Sequence, residues 1–335
     1  MKGLIRHAAV AALTIVVAGY AGAAGAQDKI NCMLPFWPGF APVYLANQLG
    51  YFEQEGLTVT EKFDDDRADA LAAFTSGTIN CYMRTVGEYQ GRPFTPEGVG
   101  TIIGTIDMSV GGDGVVADGT IKTPEDLKGK VVASEPNIPA RLLLQMALKK
   151  YNLTFKDLTI KEMASADAVA VFTDPGIAAV ATYEPELSAT VQKSGRAGAH
   201  ILISSKDYPG IIIDTIIARN ADLQANPEEY RKFLRGIYRA IDYIAQNHDK
   251  AVEIMAPHFK LSAADFDDVL KTLTYTSYED AESYLGSPGQ PGKLYGIFTD
   301  VMELNLENGA ADDRLDASRQ IDNALIPDLF KGHQR

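Results

Sequence analysis

The chain has 335 residues, 46% of them hydrophobic, with 31 Lys and Arg against 44 Asp and Glu and a formal net charge of −13. An acidic surface of that size argues against nucleic acid and anionic membranes as partners. The length suggests two domains or lobes.

The first 26 residues read as a targeting segment. "MKGLIRHAAVAALTIVVAGYAGAAGAQ" carries Lys2 and Arg6, then an uncharged apolar run, then the small residues Ala24, Gly25 and Ala26. That order is a secretory signal cut before Gln27. The run is too short and too poor in Leu, Ile and Phe to be a good spanning helix. Neither Cys32 nor Cys81 falls at the cleavage point, which speaks against lipidation there. The mature chain is expected to be exported and soluble. Removing Lys2 and Arg6 from the 31 basic residues leaves a balance of −15 against the 44 acids.

Short β-like runs then alternate with helical periods. "INCML" predicts a strand, followed by a helix with Pro42 near its first turn and Leu45, Leu49 and Phe52 on one face. Between them lies "FWPGF", which places Phe36, Trp37 and Phe40 in a strand-to-helix loop. An α/β protein usually holds its ligand at such a loop, although the rings could equally pack into the core. "LTVTEKF" precedes a helix from about Arg67 to Ser76, stopped by Gly77. "TINCYM" and the apolar run "GVGTIIGTIDMSV" follow as strands. "GDGVVAD", the turn "TPEDL", "KVVAS" and the helix "ARLLLQMALKKYN" come next. "TIKEM", "ADAVAVF", "IAAVATY", "PELSATVQKSG", "AHILIS" and "IIIDTIIA" complete the alternation. This βαβ logic predicts mostly parallel sheets covered on both faces.

After Arg219 the pattern turns helical. "NPEEYRKFLRGIYRAIDYIAQN" spaces Tyr230, Leu234, Ile237, Ile241 and Ile244 along one helix face, and further helices follow. Two mostly apolar, glycine-containing runs, "MSVGGDG" near Gly111 and "PGIIIDTIIA" near Asp214, suit crossings between lobes. Lobe one is then 27–112 plus 215–335, with 113–214 as lobe two. Such a two-crossing α/β architecture closes around its ligand like a clam.

Catalytic signatures are nearly absent. There is no P-loop, HExxH, GxSxG elbow or metal-spaced Cys/His set. His200, His248, His258 and His333 are scattered, and "GVGTIIG" leads into a strand, where a dinucleotide loop would lead into a helix. No metal or cofactor is expected, and a binder is favoured over an enzyme. The two cysteines sit in matching words, "KINCMLPF" and "TINCYMR". On neighbouring strands Cys32 and Cys81 could bridge; otherwise they are two buried thiols.

"WPGFAPVYLANQLGYFEQEGL" resembles the opening of the nitrate/sulfonate/taurine-type solute-binding proteins of ABC importers, a family that includes thiamine-precursor binders. "TIKTPEDLKGKVVA", "DAVAVF…IAAVATYEPELS" and "ILISSKDYPGIIIDTIIAR" resemble its later landmarks in order, so the likeness covers nearly the whole mature chain. It implies a two-lobed periplasmic-binding fold with C-terminal helices, a monomer in the periplasm, and transient delivery of a small ligand to an inner-membrane permease. Two departures stand out. The turn where sulfonate and nitrate binders commonly carry hydroxyls reads "SEPNIPAR" here, with Glu135 adding charge and Pro136 and Pro139 removing donors. "TYEPELS" stands where relatives often have "TWEP".

Strand C-termini should face the cleft. Lobe one then offers Phe36, Trp37, Phe40, Asp64, Tyr82 and Arg84; lobe two offers Asn137, Tyr183 and Glu184. Asp107, Asp113 and Asp214 lie at the floor. Asp107 and Asp214 interrupt apolar runs, so each needs a partner, either the ligand or an arginine such as Arg84. Asp64 to Asp66 could be a solvated loop with Asp64 turned inward, and Glu184 could be a helix-start acid. Carboxylates and aromatic faces against one arginine favour a cationic or amine-rich ligand. The alternatives are a sulfonate or nitrate anion, an enzyme on the same fold (pyrimidine-synthesising or desulfinase-like) relying on Cys81, or a receptor subunit for a sensor kinase.

Overall fold

The computed structural model describes residues 28–91 and 100–335; the expected targeting segment lies outside the described residues. Eleven strands build two sheets. They are β1 (Asp28–Leu34), β2 (Leu57–Phe63), β3 (Cys81–Thr85), β4 (Thr101–Ser109), β5 (Asp113–Ala117), β6 (Val131–Ser134), β7 (Thr159–Glu162), β8 (Ala179–Tyr183), β9 (His200–Ser204), β10 (Ile213–Ala218) and β11 (Leu273–Tyr275). The first sheet has the order β11-β4-β10-β3-β1-β2, and the second β7-β6-β8-β5-β9.

The sheets are mixed, where mostly parallel ones were expected. β1 runs parallel to β2 and β3, and β6 parallel to β7 and β8, as helical crossovers require. β10 is antiparallel to β3 and β4, and β5 to β8 and β9. The cause is the route of the chain. It leaves the first sheet at Ser109 and re-enters from the same end at Ile213, so β10 must run against β4. β5 starts at this junction and β9 ends there, so they too are opposed.

Two passages join the sheets, 110–112 on the way out and 205–212 on the way back. They are tied to each other: the Ser205 hydroxyl accepts from Gly111 N at 2.6 Å and lies 2.8 Å from the Ser109 hydroxyl. Thr272 O accepts from both Val110 N and Gly112 N. Gly111 has φ +134, a conformation that side chains rarely adopt.

Cys32 and Cys81 are direct partners in the β1–β3 register, with Cα atoms 4.4 Å apart and their sulfurs joined. Helix Pro227–Gln246 buries Tyr230, Phe233, Leu234, Ile237 and Ile241 against the first sheet and its helices. The Tyr238 hydroxyl on that face donates to Thr105 O on β4. Helix Lys293–Glu307 does more than cover one sheet. Its Asn305 donates to Gly87 O in helix Val86–Gln90, after β3. At the same end Leu304 O accepts from Gln145 in helix Pro139–Lys149, which follows β6, and Glu307 pairs with Lys149 at 2.5 Å.

Candidate functional site

The loop after β1 is fixed from behind. Tyr275, the last residue of β11, donates its hydroxyl to Pro38 O at 2.8 Å, and Phe40 N closes a turn onto Trp37 O. This aims Trp37 at the junction of the two sheets. Its indole N–H donates to both Asp107 oxygens, at 3.1 and 3.3 Å. A Cβ on Gly39 would lie 2.1 Å from Asp107 Oδ2, and one on Gly112 would lie 2.4 Å from the far edge of the indole. Both glycines are thus room for Trp37. Tyr183, at the end of β8, meets the indole edge-on with ring centres 6.4 Å apart.

Between the sheets lies a cavity of about 30 Å³, lined by Pro35, Trp37, Phe40, Asp65, Arg84, Thr85, Glu88, Asp113, Glu135, Ile138, Pro139, Tyr183 and Asp214. Six sequence-predicted residues therefore meet there: Trp37, Phe40, Arg84, Asp113, Tyr183 and Asp214. The others lie elsewhere, each for a local reason. Phe36 packs against Phe63 and the His258 ring and lines a neighbouring groove that shares Asp65 and Tyr183 with the cavity. Asp64 pairs with Lys62 at 2.5 Å; its neighbour Asp65, an exposed residue at the rim of the cavity, accepts from Phe36 N. Tyr82 packs on Phe74 behind the wall. Asp107 is wholly buried behind Trp37, so its partner is the indole, where the ligand or Arg84 was expected. Glu184 accepts from the hydroxyl and N–H of Ser188 at 2.6 and 3.1 Å, and so serves the start of helix Glu186–Lys193. Asn137 lines an adjoining outer compartment.

Sequence reasoning named Asp65 only within the Asp64 to Asp66 run, and missed Thr85 and Glu88 as lining residues. The last two had a signal: Thr85 followed three residues later by Glu88 is a capping box, and its hydrogen bonds form here. Glu135 was noticed only as a departure from the sulfonate pattern. It accepts from the Ser165 hydroxyl and N–H at 2.7 and 3.1 Å.

The cavity is rich in acid. Arg84 reaches Glu88 at 3.4 Å, with both side chains about nine-tenths buried. Burial pushes the Asp113 carboxyl up to about 7. Asp107 is likewise pushed up to about 7 by burial, the Trp37 N–H pulling the other way. Burial raises Asp214 well above the usual range, with the charges of Asp107, Glu88 and Asp113 adding to it. Asp107 and Asp214 face each other across β4 and β10. Burial drives the pair toward keeping a proton, which lets two acids face each other in a dry site without an arginine. Burial also raises Glu135. Among the described residues no group of three or more His, Cys, Asp or Glu is placed to hold a metal ion. Cys81, bonded to Cys32 and fully buried, offers the cavity no thiol.

This two-sheet architecture is that of a periplasmic binding protein. The alkanesulfonate-binding protein SsuA from Xanthomonas axonopodis pv. citri, solved with MOPS bound, superposes with a TM-score of 0.69 at 15% identity, covering 88% of this chain and 98% of that one. Residues 37–251 match the family model described as NMT1/THI5 like, and the chain belongs to that family. Among relatives, a Brucella abortus (strain 2308) protein named as a binding protein is 23% identical over 244 residues, 72% of this chain and 75% of its own. A 4-amino-5-hydroxymethyl-2-methylpyrimidine phosphate synthase of Aspergillus parasiticus is 26% identical over 245 residues, 68% of this chain and 69% of its own.

Proposed function

We propose that the chain is an exported solute-binding protein that takes a small amine- or amidine-bearing ligand between its two sheets. The observation that carries this reading is the lining of the inner cavity. Asp65, Glu88, Asp113, Glu135 and Asp214 surround a single cation, Arg84, and Trp37, Phe40 and Tyr183 form the walls. Only Glu88 among them pairs with that arginine, so a ligand cation supplies the counter-charge the other carboxyls need in order to ionise, and an aromatic face adds about 0.5–2 kcal/mol to its binding. The two sheets act as lobes hinged at the paired passages. Ligand bridging them favours the closed form, which an inner-membrane permease then engages.

The acid–base state of the cavity gives a test with opposite signs for opposite ligands. A cation favours the charged form of the cavity carboxyls, so its binding releases protons and tightens as pH rises, for Asp113 through about 7. An anion needs those protons kept, so its binding tightens as pH falls. Calorimetry from pH 5 to 8.5 against a panel of amines, amidines, sulfonates and nitrate is expected to find an amine or amidine of the first kind. Binding of only sulfonate or nitrate, tightening toward low pH, would overturn the reading.

Likeness to the Aspergillus synthase supports a second reading, an enzyme of pyrimidine synthesis. A thiol mechanism at Cys81 is disfavoured by its bond to Cys32. Pyrimidine product formed by the purified protein would decide for the enzyme.

A further inference from the structure

We infer that the ligand extends beyond its charged head, and that an uncharged aliphatic or ring-bearing body occupies a second compartment between the same two sheets. This rests on the reading of the inner cavity as the seat of a cation. That cavity, at about 30 Å³, is about a tenth of the smallest usual small-molecule site. It seats a charged head group and leaves the rest of a ligand to lie outside it. Beside it lies a compartment of about 470 Å³, within the range of small-molecule sites. Thr85, Glu88, Ile138 and Pro139 line both spaces, so they share a wall and adjoin.

The two compartments differ in chemistry. The inner one is acidic. The outer one is walled on the second-sheet side by Ile138, Pro139, Leu142 and Ile211, and on the other by Asn308 and the Gly309 and Ala310 backbone. Away from the shared Glu88, its charged residues are Arg141 and Glu162, which attract each other and so offer a ligand little net charge. Apolar walls with amide groups suit a neutral body, and nothing in this lining calls for a second charge on it. The geometry therefore assigns the head to the inner cavity and specificity for length and shape to the outer one.

The test is a homologous series of primary amines, from methylamine to hexylamine with phenylpropylamine added, titrated by calorimetry at pH 8. Affinity is expected to rise roughly fourfold per added methylene until the compartment is filled. Ile211→Trp, at a half-buried position, is expected to collapse the ratio of long- to short-amine affinity by tenfold or more. Leu142→Phe provides a milder second variant should the first fail to fold. A flat series with methylamine still binding would overturn this inference and leave the cation reading standing. An unchanged long-to-short ratio in both folded variants would overturn it too. If no amine binds at any pH, both fall together.

Discussion

Trp37 is held by an acid that burial drives toward protonation. Its N–H rests on Asp107, which pairs with Asp214 in the strand register. The acids have a consequence for stability. A carboxyl whose folded value is raised above its unfolded value of about 3.9 binds more protons in the native state between those two values. Its stabilising contribution is full below about pH 4 and is lost as pH rises through about 7 for Asp107 and Asp113. Asp214→Asn is therefore expected to raise the melting temperature of the ligand-free protein at pH 8 while changing it little at pH 5. Equal shifts at both values would contradict the shared proton. Trp37→Ala removes a cavity wall and is expected to weaken amine binding by about 1–3 kcal/mol. Wild-type affinity in that variant would return the indole to a packing role. The sequence-named side chains that meet at the cavity lie at or beside strand ends, where topology sets direction. Asp64 was lost to Lys62, two residues back, and Asp65 reaches the cavity rim in its place. Glu184 was lost to Ser188, a neighbour four residues on, whose competition for the carboxylate no strand-end rule reports.

At the scale of elements, the strands and most helices were legible from periodicity, and the two glycine-bearing runs read as crossings lie at the passages between the sheets. The antiparallel returns were not, because strand direction depends on which end the chain re-enters. Nor could the sequence show that the end of helix Lys293–Glu307 spans the gap between a helix beside the first sheet and one beside the second. That contact rests on Gln145, which is 6% exposed, donates to Leu304 O, and accepts from Asn308 at 2.6 Å. Gln145→Ala removes both bonds, each worth about 0.5–1.5 kcal/mol. It is expected to favour the open arrangement, seen as a larger radius of gyration of the ligand-free protein in solution scattering and a several-fold loss of ligand affinity. An unchanged radius and affinity would show that the helix end merely covers the surface.

For the whole molecule, the cysteine pair ties strands whose residues stand 49 apart in the chain. In the chain-entropy account, closing a loop of that size is worth about 4 kcal/mol through the unfolded state. The protein purified from an oxidising compartment is expected to show no free thiol when unfolded. Cys32→Ser with Cys81→Ser is expected to lower the unfolding free energy by about 2–4 kcal/mol. Two titratable thiols in the exported protein would remove that term.

The chain contains one tryptophan, and it stands where the first sheet meets the passage to the second, edge-on to Tyr183. Ultraviolet emission excited at the red edge of the protein band therefore originates from a single, known place. Its neighbours include an acid whose charge varies near neutrality and a tyrosine on the opposite sheet. Any movement of the sheets, any change of protonation and any arriving solute must alter the surroundings of that one emitter. The protein is its own optical probe, so a spectrofluorometer and unlabelled material are enough to follow every equilibrium of the cleft.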